Sequence, residues 1–161
     1  VTTAAWSAKE GVLATDTQVT SGNRKFRTHK VARLPCGGLI AGTGNLVHIL
    51  KVTRWVQAGY DEAAKPDFGD DEEGQFECLI IQGDGQVVLL DDDMEPMPVT
   101  DEFIAIGSGG CYAMGALACG KTAVEAVKIA AQFDAATSEP VEAYFLEEPA
   151  PVKFKAKRKK R

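Results

Sequence analysis

The chemistry this sequence offers starts at its second residue. Thr2 and Thr3 follow Val1. Val1 reads as a GTG start codon written literally, so the true first residue would be an initiator methionine. Before a small residue such as Thr2 that initiator is generally removed, and the expected mature chain begins Thr2-Thr3. A terminal threonine joins a hydroxyl and a free α-amine on one residue. The amine, with a reference pKa of about 7.7–8.0, can act as a base near neutral pH. That pairing activates an otherwise weak nucleophile. Alone it decides nothing, because many chains begin with threonine after processing. If the first residue stays in place, Thr2 has no free amine and the chemistry is blocked. Metal chemistry has little to draw on. The four cysteines, Cys36, Cys78, Cys111 and Cys119, show no CxxC spacing, and the chain has two histidines. The thiols are expected to be reduced and in the core, as in a cytosolic protein. No cofactor is called for.

The 161 residues fit one domain with a full core. Hydrophobic residues make up 45% and charged residues 25%, the balance of a globular protein. No apolar run approaches the roughly 20 residues of a membrane span. The start, VTTAAWSAKEG, lacks a basic lead and a long apolar stretch, which speaks against a secretory signal. Net charge is −5, unevenly placed: VKFKAKRKKR at 152–161 carries seven positive charges and no acid. The acidic remainder argues against broad nucleic-acid binding by the body. The expected organisation is a domain over 1–148 and a disordered basic tail over 149–161, the tail being the one candidate contact for nucleic acid.

The elements that must hold Thr2 can be read from pattern. Thr3–Ala8 and Val12–Thr15 form a hairpin around Lys9-Glu10-Gly11. Ser21-Gly22-Asn23 is a turn, and 24–34 reads as one strand. GLIAGT at 38–43 is a buried strand bounded by glycines. Asn45 caps a helix whose apolar positions Leu46, Ile49, Leu50, Val52, Trp55 and Val56 recur at helical spacing, and Gly59 ends it. Residues 61–77 hold eight acids against one lysine and read as a loop. Glu77–Ile81 and Gln86–Leu90 form a hairpin around GDG. Residues 91–100 read as loop, Phe103–Ile106 as strand, and 111–120 as helix. Thr122 and Glu125 have capping-box spacing before a further helix. Pro140 precedes a last strand, VEAYFLE. Strands, helix, strands, two helices and strand indicate α+β.

Four strings then appear in order: LATDTQVTSGN at 13–23, HKVARL at 29–34, LIAGTG at 39–44 and FIAIGSGG at 103–110. With the leading Thr-Thr they resemble the proteasome β-subunit family, and most closely its bacterial HslV peptidase branch, over most of residues 2–146. That family consists of N-terminal-nucleophile hydrolases. The resemblance implies a four-layer αββα sandwich of two antiparallel sheets. It also implies an endopeptidase that works through an acyl-enzyme on Thr2. Asp16 would position the lysine, Lys30 would stand beside the nucleophile, the Gly42 backbone N–H would receive the oxyanion, and Ser108 would bond the α-amine. Asp134 and Thr137, in FDAAT, resemble an Asp-x-x-Ser pair with Thr for Ser. Each residue also has a plainer reading. Asp16 is a turn cap, Lys30 a solvated lysine, Gly42 and Gly44 close-packing glycines, and Ser108 a helix cap.

The chain departs from that pattern in three places. The intervals from Thr2 to Asp16 and from Asn23 to Lys30 are each about two residues short. Loss of two residues keeps the same strand faces inward, whereas loss of one would flip them. The family's second long helix has no counterpart in DEAAKPDFGDDEEGQ at 61–75, so a sheet face there would need other cover. The implied setting is cytoplasmic: a ring-forming homo-oligomer acting on peptides or unfolded protein, with an ATP-dependent unfoldase as partner and no membrane. The rivals are an amidohydrolase with a non-peptide substrate and a catalytically silent protein of the same fold.

Overall fold

In the computed structural model the described residues are 2–69 and 75–146. The basic tail, residues 70–74 of the acidic segment and Val1 lie outside them. The elements in chain order are β1 (Thr3–Ser7), β2 (Val12–Asp16), β3 (Gln18–Ser21), β4 (Arg24–Arg27), β5 (Val31–Arg33), β6 (Leu39–Gly44), α1 (Leu46–Gln57), β7 (Phe76–Ile81), β8 (Val87–Asp91), β9 (Met97–Val99), β10 (Phe103–Gly107), α2 (Gly110–Ala118), α3 (Ala123–Phe133) and β11 (Val141–Phe145). They make a four-stranded antiparallel sheet ordered β10-β1-β2-β11, a five-stranded sheet ordered β5-β6-β7-β8-β9, and the two-stranded ribbon β3-β4. The fold is α+β.

Period-two alternation explains why β1 and β2 are buried at every position. Ala5, Val12 and Ala14 point into one apolar cluster with Ala113, Leu117, Ala126 and Val127 of α2 and α3. Their neighbours Ala4, Trp6 and Leu13 point into another, shared with Leu39, Ala41, Leu79 and Ile81 of the five-stranded sheet. The other face of β6 and β7 supplies Ile40, Cys78 and Ile80 to a third cluster with Val52 and Val56 of α1. A one-residue slip in β1 would send Trp6 into the small alanine-lined cluster, so packing fixes the register.

The expected caps form. The Asn45 side chain accepts from the backbone N–H of Val47 at 2.9 Å and His48 at 3.3 Å. Thr122 and Glu125 make the full capping box. Gly59, past the end of α1, has φ +96°.

Three expectations change. The single strand over 24–34 is two strands in different sheets, β4 and β5, with Thr28–Lys30 between them. That break turns Lys30 inward. The loop over 91–100 contains β9, which tolerates Pro98 because it lies at a sheet edge. Of the four cysteines only Cys78 is in the core; the other three are exposed thiols. Burial pushes the Cys78 thiol up to about 12, so it behaves as a small apolar group.

No long helix forms in 61–69, where one short 3-10 turn spans Glu62–Ala64. The segment still covers part of the five-stranded sheet. Phe68 stacks on His48 with ring centroids 4.2 Å apart and meets Phe76 edge-on, while Leu90 and Met94 are buried beside it.

Candidate active site

The candidate residues Thr2, Asp16, Lys30, Gly42, Ser108 and Asp134 gather around the start of β1. β1 pairs with β10 in a register that puts Thr3 opposite Gly107, so Thr2 lies beside the β10–α2 turn. Thr2 is buried, and Thr43 Oγ1 donates to its carbonyl at 3.4 Å. Gly107 has φ +93°, and any Cβ there would collide with the Thr2 carbonyl oxygen. Only glycine at that strand end lets β1 and β10 close together over Thr2.

On one side of Thr2 stands a buried ion pair. Lys30 Nζ lies 2.9 Å from Asp16 Oδ1, with the two side chains 5% and 0% exposed. Asp16 is fixed further by Thr3 N at 2.9 Å and Gln18 N at 3.0 Å. A buried carboxylate needs this many donors to be held as an ion. Burial lowers the Lys30 pKa, and the hydrogen bond and charge of Asp16 only partly oppose that. Lys30 is thus a lysine that gives up its proton more readily than one in water.

Lys30, Thr2 and Gly42 line one cavity of about 150 Å³, whose walls include Val31, Ile49 and Leu50. Gly42 has a packing reason to be glycine, since a Cβ would meet Ile49 Cγ2 at 2.5 Å and Cys78 Sγ at 3.2 Å. Gly44, with φ +101° at the end of β6, lines the same cavity.

On the other side hydroxyls surround a carboxylate. Ser108 Oγ donates to Asp134 Oδ2 at 2.6 Å and Thr137 Oγ1 donates to the same oxygen at 2.5 Å, while Ala136 N reaches Oδ1 at 3.3 Å. Partial burial works to raise the Asp134 pKa, but these bonds outweigh it and hold the carboxyl below its ordinary value. Ser108 is exposed and borders a neighbouring cavity with Thr43, Gly44 and Gly107, not the one lined by Thr2 and Lys30. The plainer reading of Ser108 as a helix cap does not apply, because Gly109 is the N-cap of α2 and no side chain bonds there. Lys30 is likewise not a solvated lysine.

Sequence reasoning passed over Thr3, Gly107 and Gly109. Thr3 Oγ1 lies 2.6 Å from Thr137 Oγ1 and accepts from Gly109 N at 3.0 Å. The density of glycines in IGSGG was the available signal for close backbone approach. Among the described residues no group of three or more potential metal ligands occurs, and no helix is long and apolar enough to cross a membrane.

No protein-family model matches the chain, and no curated protein matches it. Solved structures do. Thiobacillus denitrificans BPH is 20% identical with a TM-score of 0.64, over 93% of this chain and 98% of that one. The same protein in complex with epoxomicin is 21% identical with a TM-score of 0.65, over 91% and 98%. Eukaryotic HslV from Trypanosoma brucei is 19% identical with a TM-score of 0.65, over 88% and 97%. At these identities the likeness shows the fold, which is proteasome/HslV-like.

Proposed function

We propose that this protein is an N-terminal-threonine endopeptidase with Thr2 as its nucleophile. The observation that carries the reading is the buried Lys30–Asp16 ion pair lining, through Lys30, the same cavity as Thr2. A buried ammonium has little structural value of its own, since desolvation opposes it. In the wall of a cavity shared with Thr2, whose hydroxyl must lose a proton to attack, it has a use.

The reaction would run as follows once Thr2 is the first residue. Thr2 Oγ1 attacks a peptide carbonyl carbon and passes its proton to its own α-amine. Lys30 stabilises the forming alkoxide, and Asp16 holds Lys30 in place. The oxyanion is received by a backbone N–H of the Gly42–Gly44 stretch, with Gly42 as the expected donor. Ser108, held by Asp134, orients the α-amine. The C–N bond breaks, the leaving amine takes the proton, and Thr2 is left as an ester. Water then adds, the ester bond breaks and the hydroxyl is regenerated. The aliphatic walls at Val31, Ile49 and Leu50 favour substrates with an apolar side chain on the acyl side of the cleaved bond.

The supporting architecture is read as four layers: α2 and α3, the four-stranded sheet, the five-stranded sheet, and α1. A protein of the same fold is solved with epoxomicin bound, which favours a probe of that class here. The working form is proposed to be a ring-forming homo-oligomer in the cytoplasm, acting on peptides or unfolded protein supplied by an ATP-dependent unfoldase.

Intact mass and N-terminal sequence after exposure to a threonine-directed epoxyketone test this directly. The probe needs a hydroxyl and a free amine on one residue. The expected product is a chain that begins at Thr2 and carries one adduct. A chain that retains a residue before Thr2 and takes up no probe would sink the peptidase reading. Labelled protein that hydrolyses small amides but no peptides would redirect it to a non-peptide amidohydrolase.

A further inference from the structure

Thr3 is fully buried and bonded at every polar atom on its inner side. The order of donors around it can be worked out. The Asp134 carboxylate can only accept, and Thr137 gives its single hydroxyl proton to Asp134 Oδ2. Toward Thr3, at 2.6 Å, the Thr137 oxygen must therefore accept. Thr3 is then the donor, and its own oxygen accepts from Gly109 N–H at 3.0 Å. The chain runs one way: Gly109 N–H to Thr3 hydroxyl, to Thr137 hydroxyl, to Asp134. Each link polarises the next. The backbone N–H of the same Thr3 donates to Asp16 Oδ1, the oxygen that also holds Lys30 Nζ.

We propose that Thr3 is a positioning residue. It joins the Lys30–Asp16 pair to the Ser108–Asp134–Thr137 group and thereby fixes the backbone on which Thr2 stands. The inference rests on the peptidase reading only for its effect on rate; the bonding chain stands without it. The joint has no slack. A Cβ on Gly109 would collide with Thr3 Oγ1 and lie 2.9 Å from Thr137 Oγ1. The charged groups around it are Asp134 on one side and Asp16 with Lys30 on the other. Thr3 touches no reacting atom and works by holding its neighbours.

The test compares full-length wild type, Thr3→Val and Thr3→Ser. Valine keeps the shape and the backbone bond to Asp16 but deletes the hydroxyl link; serine keeps the hydroxyl. Two readouts are needed: the titration of the Asp134 carboxyl by carbon-13 NMR, assigned with Asp134→Asn, and the rate of epoxyketone labelling at Thr2. In Thr3→Val the Asp134 midpoint is expected to move up, because Thr137 becomes a less polarised donor. Labelling is expected to slow about tenfold to a hundredfold, the weight of a hydrogen bond serving a charge. Thr3→Ser should restore the midpoint and bring labelling within about threefold of wild type. A Thr3→Val protein with an unmoved midpoint, or a Thr3→Ser protein as impaired as Thr3→Val, overturns the proposal. If wild type takes up no probe, the peptidase reading fails while the titration still decides the link. Should Thr3→Val not fold, Thr3→Cys replaces it, with a weaker donor and a smaller shift in the same direction.

Discussion

The two flanks of Thr2 solve one problem by different means. On one flank an ammonium and a carboxylate are carried by residues 30 and 16, with side chains 5% and 0% exposed. On the other flank the carboxylate of Asp134 is only half-buried, and its partners are neutral: the hydroxyls of Ser108 and Thr137 and the backbone N–H of Ala136. A charge in the interior must be matched by an opposite charge and by donors that cannot move away. A charge near water can be held by neutral hydroxyls, because solvent screens what they leave undone. The first flank should therefore fail abruptly when altered. The second should fail by degrees and with a dependence on pH.

The hardest test of that contrast is at its centre. Thr2→Ala should abolish epoxyketone labelling and lower peptidase activity on the order of 10³-fold or more, with the fold intact. Activity surviving in Thr2→Ala would place the nucleophile elsewhere.

Next is the buried pair. Asp16→Ala removes the carboxylate that faces the buried Lys30 ammonium and should lower unfolding stability by about 3–5 kcal/mol in a denaturant titration. Adding Lys30→Met should recover much of that stability while leaving labelling absent. Full recovery of labelling in the double variant would show the pair to be purely structural.

The outer flank should respond more gently. Ser108→Ala removes one donor from Asp134 and should slow labelling about tenfold. It should also raise the pH at which Asp134 protonates. Asp134 has a folded pKa below its unfolded value of 3.8, so it adds stability above that value and loses it as pH falls through the folded pKa. Ser108→Ala narrows that gap, and acid unfolding should begin at a higher pH. Lys30 sets the opposite limb. Burial has lowered its pKa from 10.5, so its charge, and the activity that depends on it, should be lost on the alkaline side before 10.5 is reached. A flat profile up to 10.5 would deny Lys30 a charged role.

The smallest effect concerns the cavity wall. Ile49→Ala should open the roughly 150 Å³ cavity and shift preference toward larger apolar acyl side chains by about tenfold in relative kcat/KM. An unchanged preference would place the side-chain pocket elsewhere.

Much of the fold was legible because its signals are local. Asn45 and the Thr122–Glu125 pair announce helix starts through bonds to amides two or three residues away. The hairpins at Gly11 and Gly22 rest on positive φ, which glycine adopts without strain. Other features were hidden because they depend on partners far along the chain. The division of 24–34 into β4 and β5 follows from pairing with β3 and with β6, not from the residues of 24–34 themselves. Strand β9 exists because β8 offers it an edge. The exposure of Cys36, Cys111 and Cys119 likewise depends on which helix face or turn each occupies after packing.

The candidate site divides along the same line. Its residue types, Thr2, Asp16, Lys30, Gly42, Ser108 and Asp134, could be picked out in the sequence. Their chemistry is a property of each side chain, and short strings in a fixed order carried the resemblance. Their mutual positions are a property of the fold. Thr3 and Thr137 are 134 residues apart in sequence and 2.6 Å apart in space. No spacing rule spans that interval, since only the pairing of β1 with β10 and the packing of the residues after α3 against β1 close it. The direction of the hydroxyl chain, the burial that lowers the Lys30 pKa and the close approach of Gly107 and Gly109 to Thr2 and Thr3 were all decided at that level. Each depends on what surrounds an atom, and those surroundings exist only once the chain has folded.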